Sequence, residues 1–170
     1  MLIEVAHLGL ILTLTLSFIQ FSIPLIGAHM NWINWMRLAD KTAFLQFMLT
    51  FFAFMVLIWA FATSDFSVRL VALNSHSLKP LLYKITGTWG NHEGSMLLWV
   101  LIINFYGFLI TIFGGELPIG LKSRVLSIQG LIAAAFIGFL LFTSNPFDRE
   151  LAPPMDGNGL NPVLQDLGLA

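Results

Sequence analysis

Trp89, His92 and Glu93 set an indole, an imidazole and a carboxylate close together within Gly87-Thr88-Trp89-Gly90-Asn91-His92-Glu93-Gly94-Ser95. The segment stands at the mouth of an apolar run from Met96 to Phe113, so these groups fall where water gives way to hydrocarbon. An indole stacks on flat apolar ligands, an imidazole donates or ligates near neutral pH, and a carboxylate partners a cation. A helix starting near Asn91 would put Trp89, His92, Met96 and Trp99 on one stripe, at spacings of three, four and three residues. The same residues also read as a plain helix start. Asn91 would be the N-cap, Trp89 an interfacial anchor, and Glu93 a first-turn acid favoured by about 0.3–1 kcal/mol from the helix dipole. A zincin-type zinc site is excluded, because Met96 occupies the position of the second histidine.

The elements that must carry these groups are hydrophobic. Of the 170 residues 57% are apolar and 10% charged, and mean hydropathy is +0.84. Soluble chains hold roughly 45–50% apolar and about 25% charged residues, so the composition is that of an integral membrane protein. The net charge of -1 leaves no basic stripe for nucleic acid. The absence of cysteine excludes disulfides and thiolate metal sites within this chain.

Four runs, near residues 5–27, 43–63, 95–114 and 125–143, are long and apolar enough to cross a hydrocarbon core, which takes about 20 helical residues. None shows strand alternation, and lipid leaves backbone groups no partner but their own helix. The expected fold is all-α: a four-helix transmembrane region over 1–143; an outer-side segment over 66–87 made of a short interfacial helix around residues 66–73, a polar turn and an apolar stretch returning to the membrane surface; and an irregular outer-side tail over 144–170. Asn145-Pro146, Pro153-Pro154 and Asn161-Pro162 punctuate that tail too densely for a helix. The first run opens with Glu4 in place of a basic n-region, and reads as a retained helix.

Arg37, Lys41, Lys122 and Arg124 lie in short loops on one face, against Asp40 and Glu116. The other face also has four basic residues, Arg69, Lys79, Lys84 and Arg149, but among more acids and in longer segments. Loop length therefore makes the first face cytoplasmic and places both termini and the motif outside. Gln20, Gln46, Asn104 and Gln129 fall inside the spans and read as hydrogen-bonding glue between helices. His7, near an outer helix end, reads as an interfacial histidine that hydrogen-bonds a neighbour rather than as a metal or haem ligand, and His29 and His76 have no clustered partner.

Thr88-Trp89-Gly90-Asn91-His92-Glu93-Gly94-Ser95-Met96-Leu97-Leu98-Trp99 resembles the hallmark of the CcmF family, the haem lyase component of cytochrome c maturation, and of its NrfE relatives. Phe142-Thr143-Ser144-Asn145-Pro146-Phe147 and Gly159-Leu160-Asn161-Pro162-Val163-Leu164-Gln165-Asp166 resemble the same family, in the expected order and spacing. Leu167 departs from the proline usual after that last segment. The resemblance implies thioether formation between haem vinyl groups and a Cys-x-x-Cys-His apocytochrome c. Haem would be delivered by the CcmE chaperone and the apocytochrome through CcmH. It also implies that the iron-ligating histidines and the tryptophan-rich WWD segment lie beyond Ala170. The chain is accordingly expected to be the amino-terminal part of such a protein or one piece of a split gene. Trp89, His92 and Glu93, together with the tail over 144–166, would then shape an outer surface for haem or a partner, with no catalytic and no metal-binding residue in this chain. The expected location is the bacterial inner membrane, or alternatively the mitochondrial one. The competing expectation is a non-catalytic membrane scaffold subunit.

Overall fold

The computed structural model describes residues 1–159. Seven α-helices follow one another among them: α1 (Leu2–Met30), α2 (Ile33–Met36), α3 (Leu38–Ala62), α4 (Arg69–Asn74), α5 (Leu81–Gly87), α6 (His92–Phe113) and α7 (Ile119–Thr143). A 3₁₀ turn, Gly114–Glu116, bridges the last two. The described residues form no strand beyond an isolated antiparallel bridge between Val68 and Arg149. The four long segments are each apolar enough to cross a membrane, so the chain is a multi-pass membrane protein.

Short turns reverse the chain between α1 and α3 and between α6 and α7, and the longer 63–91 segment, which carries α4 and α5, brings α6 back along α3. Asn31, in the left-handed conformation at φ 58°, ends α1, and Trp32 N–H bonds back to the Gly27 carbonyl at 2.9 Å. The long helices then close a ring in which α1 packs on α3 and α7, and α6 packs on the other sides of α3 and α7. The motif end of this bundle collects the start of α1, the end of α3, α4, α5, the start of α6 and the end of α7. The opposite end holds α2 and the turn before α7.

Lipid tails are as apolar as leucine, so the hydrophobic effect does little to draw membrane helices together. The exposed Leu, Ile and Phe side chains that cover the bundle are therefore its normal outer surface. Cohesion comes from close packing and polar contacts inside. Gly130 of α7 is one such approach, since a methyl group there would come within 3.1 Å of the Gln20 side chain of α1.

All four amides singled out in the sequence bond between helices. Gln46 Nε2 donates to Gln20 Oε1 at 2.7 Å, joining α3 to α1, and Gln20 Nε2 donates to the Leu126 carbonyl of α7 at 2.8 Å. Asn104 Nδ2 of α6 donates to Thr50 Oγ1 of α3 at 2.8 Å, and Gln129 Nε2 of α7 to the Ile103 carbonyl of α6 at 2.5 Å. Ser17 Oγ donates to Gln46 Oε1 at 2.8 Å, and Thr50 Oγ1 to the Gln46 carbonyl at 2.7 Å. One connected set of bonds thus touches all four long helices. Ser17, Gln20, Gln46, Thr50 and Asn104 are all at most 2% exposed, so water cannot replace a lost partner.

Gln46→Ala leaves the Gln20 carbonyl oxygen without a donor in the bundle interior. We expect it to destabilise the chain in micelles by about 1–2 kcal/mol, the upper range for such bonds in lipid. The check is denaturant unfolding followed by tryptophan fluorescence. An unchanged midpoint would mean that the amide network does not hold the helices together.

Candidate functional site

The reversal from α5 into α6 is built by Asn91. Its Oδ1 accepts from Gly94 N–H at 2.7 Å, the side-chain cap of α6, while its Nδ2 donates to the Gly87 carbonyl at 2.9 Å and the Thr88 carbonyl at 3.3 Å. One side chain therefore satisfies a free donor at the start of α6 and free acceptors at the end of α5. The Thr88 carbonyl lies hard against Gly94, and any β-carbon at residue 94 would collide with it. Asparagine and glycine at these positions are the conditions for the turn to close.

The same turn sends the three candidate side chains in different directions. Trp89 precedes the cap and does not follow the helical screw. Its ring lies on Phe54 of α3, nearly parallel at 26° with centroids 6.5 Å apart. The expected stripe of four is thus corrected to three, because α6 begins at His92 and only residues from there onward keep helical spacing. His92 and Met96 line a groove of about 410 Å³ with Ala135, Phe136 and Phe139 of α7. His92 meets the Phe139 ring edge-on at 6.2 Å, and Trp99 leans on Phe136 at 6.4 Å. Glu93 points elsewhere again, into a polar pocket of about 200 Å³ shared with Arg69, Ser144, Asn145 and Asp148. His92 and Glu93 therefore border two neighbouring recesses, one apolar and one polar, while Trp89 anchors the turn.

Segments before and after the long helices complete this end, the tail among them as the sequence suggested. Residues 66–77 and 145–159 lie against each other: Arg69 N–H donates to the Asp148 carbonyl at 2.9 Å, Glu150 N–H to Ser67 at 3.0 Å, Asn158 N–H to Ala72 at 2.9 Å and Gly159 N–H to Ser75 at 3.1 Å. Arg149 bonds Glu4 Oε1 at 2.5 Å and also the Ser67 hydroxyl, tying the start of α1 to both segments. Asn145 meets His7 Nε2 at 3.3 Å. α4 packs Leu70, Val71 and Ala72 inward, whereas α5 has no buried residue and shows Leu81, Leu82 and Tyr83 outward. The surface-lying helix of the 66–87 region is thus α5, and α4 belongs to the core. The motif stretch Gly159 to Asp166 falls, after its first residue, outside the described residues.

Among the described residues no group of three or more His, Asp or Glu is placed to hold a metal ion. Outside the spanning helices, the Asp156 carboxylate carries a marked shift. Asp156 accepts from the Ser77 hydroxyl at 2.5 Å and Ser77 N–H at 2.9 Å, which hold its pKa down from 3.8 to about 2. Gly157 N–H at 2.8 Å and the nearby His76 add to the effect.

A cytochrome c assembly protein family profile matches residues 89–170. Over all 170 residues the chain is 54% identical to the cytochrome c-type biogenesis protein ccl1 of Rhodobacter capsulatus, and covers 26% of that protein. It is 50% identical to the cytochrome c-type biogenesis protein CcmF of Pseudomonas aeruginosa and 41% identical to that of Escherichia coli. In both cases 99% of this chain is matched to 26% of the relative. The chain spans about a quarter of the length of the curated relatives it matches. A solved structure of the cytochrome c haem lyase CcmF superposes with a TM-score of 0.81 at 28% identity, over 87% of this chain and 25% of that one.

Two outcomes follow from the geometry. Gly94→Ala drives a β-carbon into the Thr88 carbonyl and is expected to cost about 1–3 kcal/mol, against about 1 kcal/mol for Asn91→Ala; both are read from thermal unfolding in detergent. The low pKa of Asp156 means that the charged form is the one bound, so its contribution is complete above the ordinary value of 3.8 and is lost as pH falls through about 2. Hydrogen-exchange protection at Asn158 and Gly159 should hold from neutral pH to about 4 and collapse toward 2. Asp156→Asn should lower protection at neutral pH and flatten this dependence.

Proposed function

The chain belongs to the family of CcmF-type cytochrome c biogenesis proteins, and from that premise we propose that it forms the amino-terminal part of a haem lyase, which attaches haem to apocytochrome c. Residues 1–143 are its membrane region and 144–170 a tail on the outer side. The reading rests above all on the match of the entire chain to one stretch of these relatives, with the motif at residues 88–99 built as a rigid turn at one end of the bundle. The membrane is the bacterial inner membrane, with both termini and the motif end in the periplasm; the mitochondrial inner membrane is the alternative.

Haem is a flat apolar ring with two carboxylates on one edge. The apolar groove at His92, Met96, Phe136 and Phe139 offers ring surface, and the adjoining polar pocket offers Arg69 as partner for a carboxylate. In this proposal His92 and Glu93 form the border between the two, and Trp89 holds the turn that presents them. These residues bind and orient haem as a substrate; the iron ligands come from outside the chain. CcmE would deliver haem to this face, and CcmH would present the apocytochrome. The Asn91 cap and the Gly94 contact favour a second reading, a non-catalytic scaffold in which the motif serves only to fold the turn.

Alanine at the positions of His92 and Glu93 in a complete homologue separates the two readings. The haem-surface reading predicts about ten-fold less holocytochrome c at normal protein level, the effect of losing one hydrogen bond to a charged group. Unchanged yield, together with the folding defect expected of Asn91→Ala, would leave the motif a structural device alone.

A further inference from the structure

At the end of the bundle opposite the motif, α1 and α7 part to leave a groove of about 430 Å³ lined by Leu25, Ile26, His29 and Met30 of α1 and by Arg124 of α7. Its walls are aliphatic on the inner side and basic at the mouth. Arg124 is held in place by one bond, Nη2 to the Ala28 carbonyl at 3.3 Å, which satisfies an acceptor at the end of α1. A guanidinium has five N–H groups in a fixed fork, so most of its donors stay free for an anion. Among the described residues no carboxylate pairs with Arg124, and none lines the groove. The neighbouring Lys122, by contrast, is already paired with Asp40 at 2.8 Å.

The depth of the groove identifies its occupant. Trp32 and Trp35 lie just past the end of α1, stacked edge-to-face with centroids 4.8 Å apart and 48% and 39% exposed. Exposed tryptophans at a helix end mark the headgroup level of a bilayer. Arg124 and His29 therefore sit at headgroup depth, while Leu25 and Ile26 lie about a turn deeper, at the level of acyl chains. Aliphatic walls beneath a fixed, unpaired cation match a molecule with a phosphate head and hydrocarbon tails. Basic recesses between transmembrane helices recognise anionic lipids by this combination.

We propose that this groove between α1 and α7 is a binding site for an anionic phospholipid, with Arg124 bonding its phosphate and Leu25, Ile26 and Met30 packing its acyl chain. The site would clamp a lipid against the seam between α1 and α7. It is independent of the haem-surface reading, because it uses no residue of the motif end.

Native mass spectrometry of the purified 170-residue chain in detergent tests the site, with phosphatidylglycerol and phosphatidylcholine of matched chain length added in equal amounts. The chain should retain phosphatidylglycerol in preference to phosphatidylcholine by about five-fold, the effect of one basic group near the membrane surface. Arg124→Gln should bring that preference close to unity. Ile26→Trp, which fills the groove without changing charge, should abolish retention of both lipids, while Lys41→Gln outside the groove should leave the preference within about two-fold. Equal retention of the two lipids would overturn the proposal, as would a preference that survives Arg124→Gln. Competition by glycerol phosphate, which has no acyl chains, would reduce the site to a phosphate contact and overturn the lipid assignment.

Discussion

The bundle depends on a small number of amide hydrogen bonds in its interior. The contact of Gln46 with Gln20, and of Gln20 with the Leu126 carbonyl, fixes three helices to one another at a level where no water competes. In a soluble four-helix protein burial of leucine would supply most of the cohesion, and such bonds would refine it. In a bilayer the apolar faces are satisfied whether or not the helices meet, so the polar contacts and the close approach at Gly130 decide which helices pair and in which register. Everything that happens at the motif end is referred to this frame. The start of α6, the end of α3 and the end of α7 come together there because Asn104, Thr50 and Gln129 hold the same helices deeper in the membrane.

The motif end is assembled from segments far apart in sequence. Asn91 joins the last turn of α5 to the first turn of α6, and Gly94 lets the Thr88 carbonyl approach. The segment after α7 returns across α4 and is pinned by Arg149 to Glu4 and by Asp156 to Ser77. A polar pocket next to an apolar groove results, each bordered by one residue of the motif. The division of labour is physical. Asn91, which closes the turn, has its amide consumed by backbone partners, whereas the His92 and Glu93 side chains make no hydrogen bond among the described residues.

Part of this was legible residue by residue. The four amides announced themselves, because an uncharged polar side chain inside an apolar run has no stable place except against another helix. Asn91 as cap and Glu93 in the first turn followed from the chemistry of helix starts. The stripe through Trp89 did not survive, since helical spacing applies only to residues inside the helix and Trp89 stands before the cap. Nor did sequence tell α4 from α5. Both carry short apolar stretches, and α4 becomes core because Leu70 and Val71 join the apolar cluster of the long helices together with Phe147 of the returning segment.

The sequence by itself determined the class of the molecule, its four long helices, the helix start at the motif and the family, because these depend on local composition, length and residue order. Only the tertiary structure decided that His92 faces α7 while Trp89 faces α3, that Glu93 shares a pocket with Arg69, and that Arg124 stands at the mouth of a groove on α1. Those are relations between helices. They are set by how the amide network and small residues fix rotation and register, and no single helix carries that information in its own period.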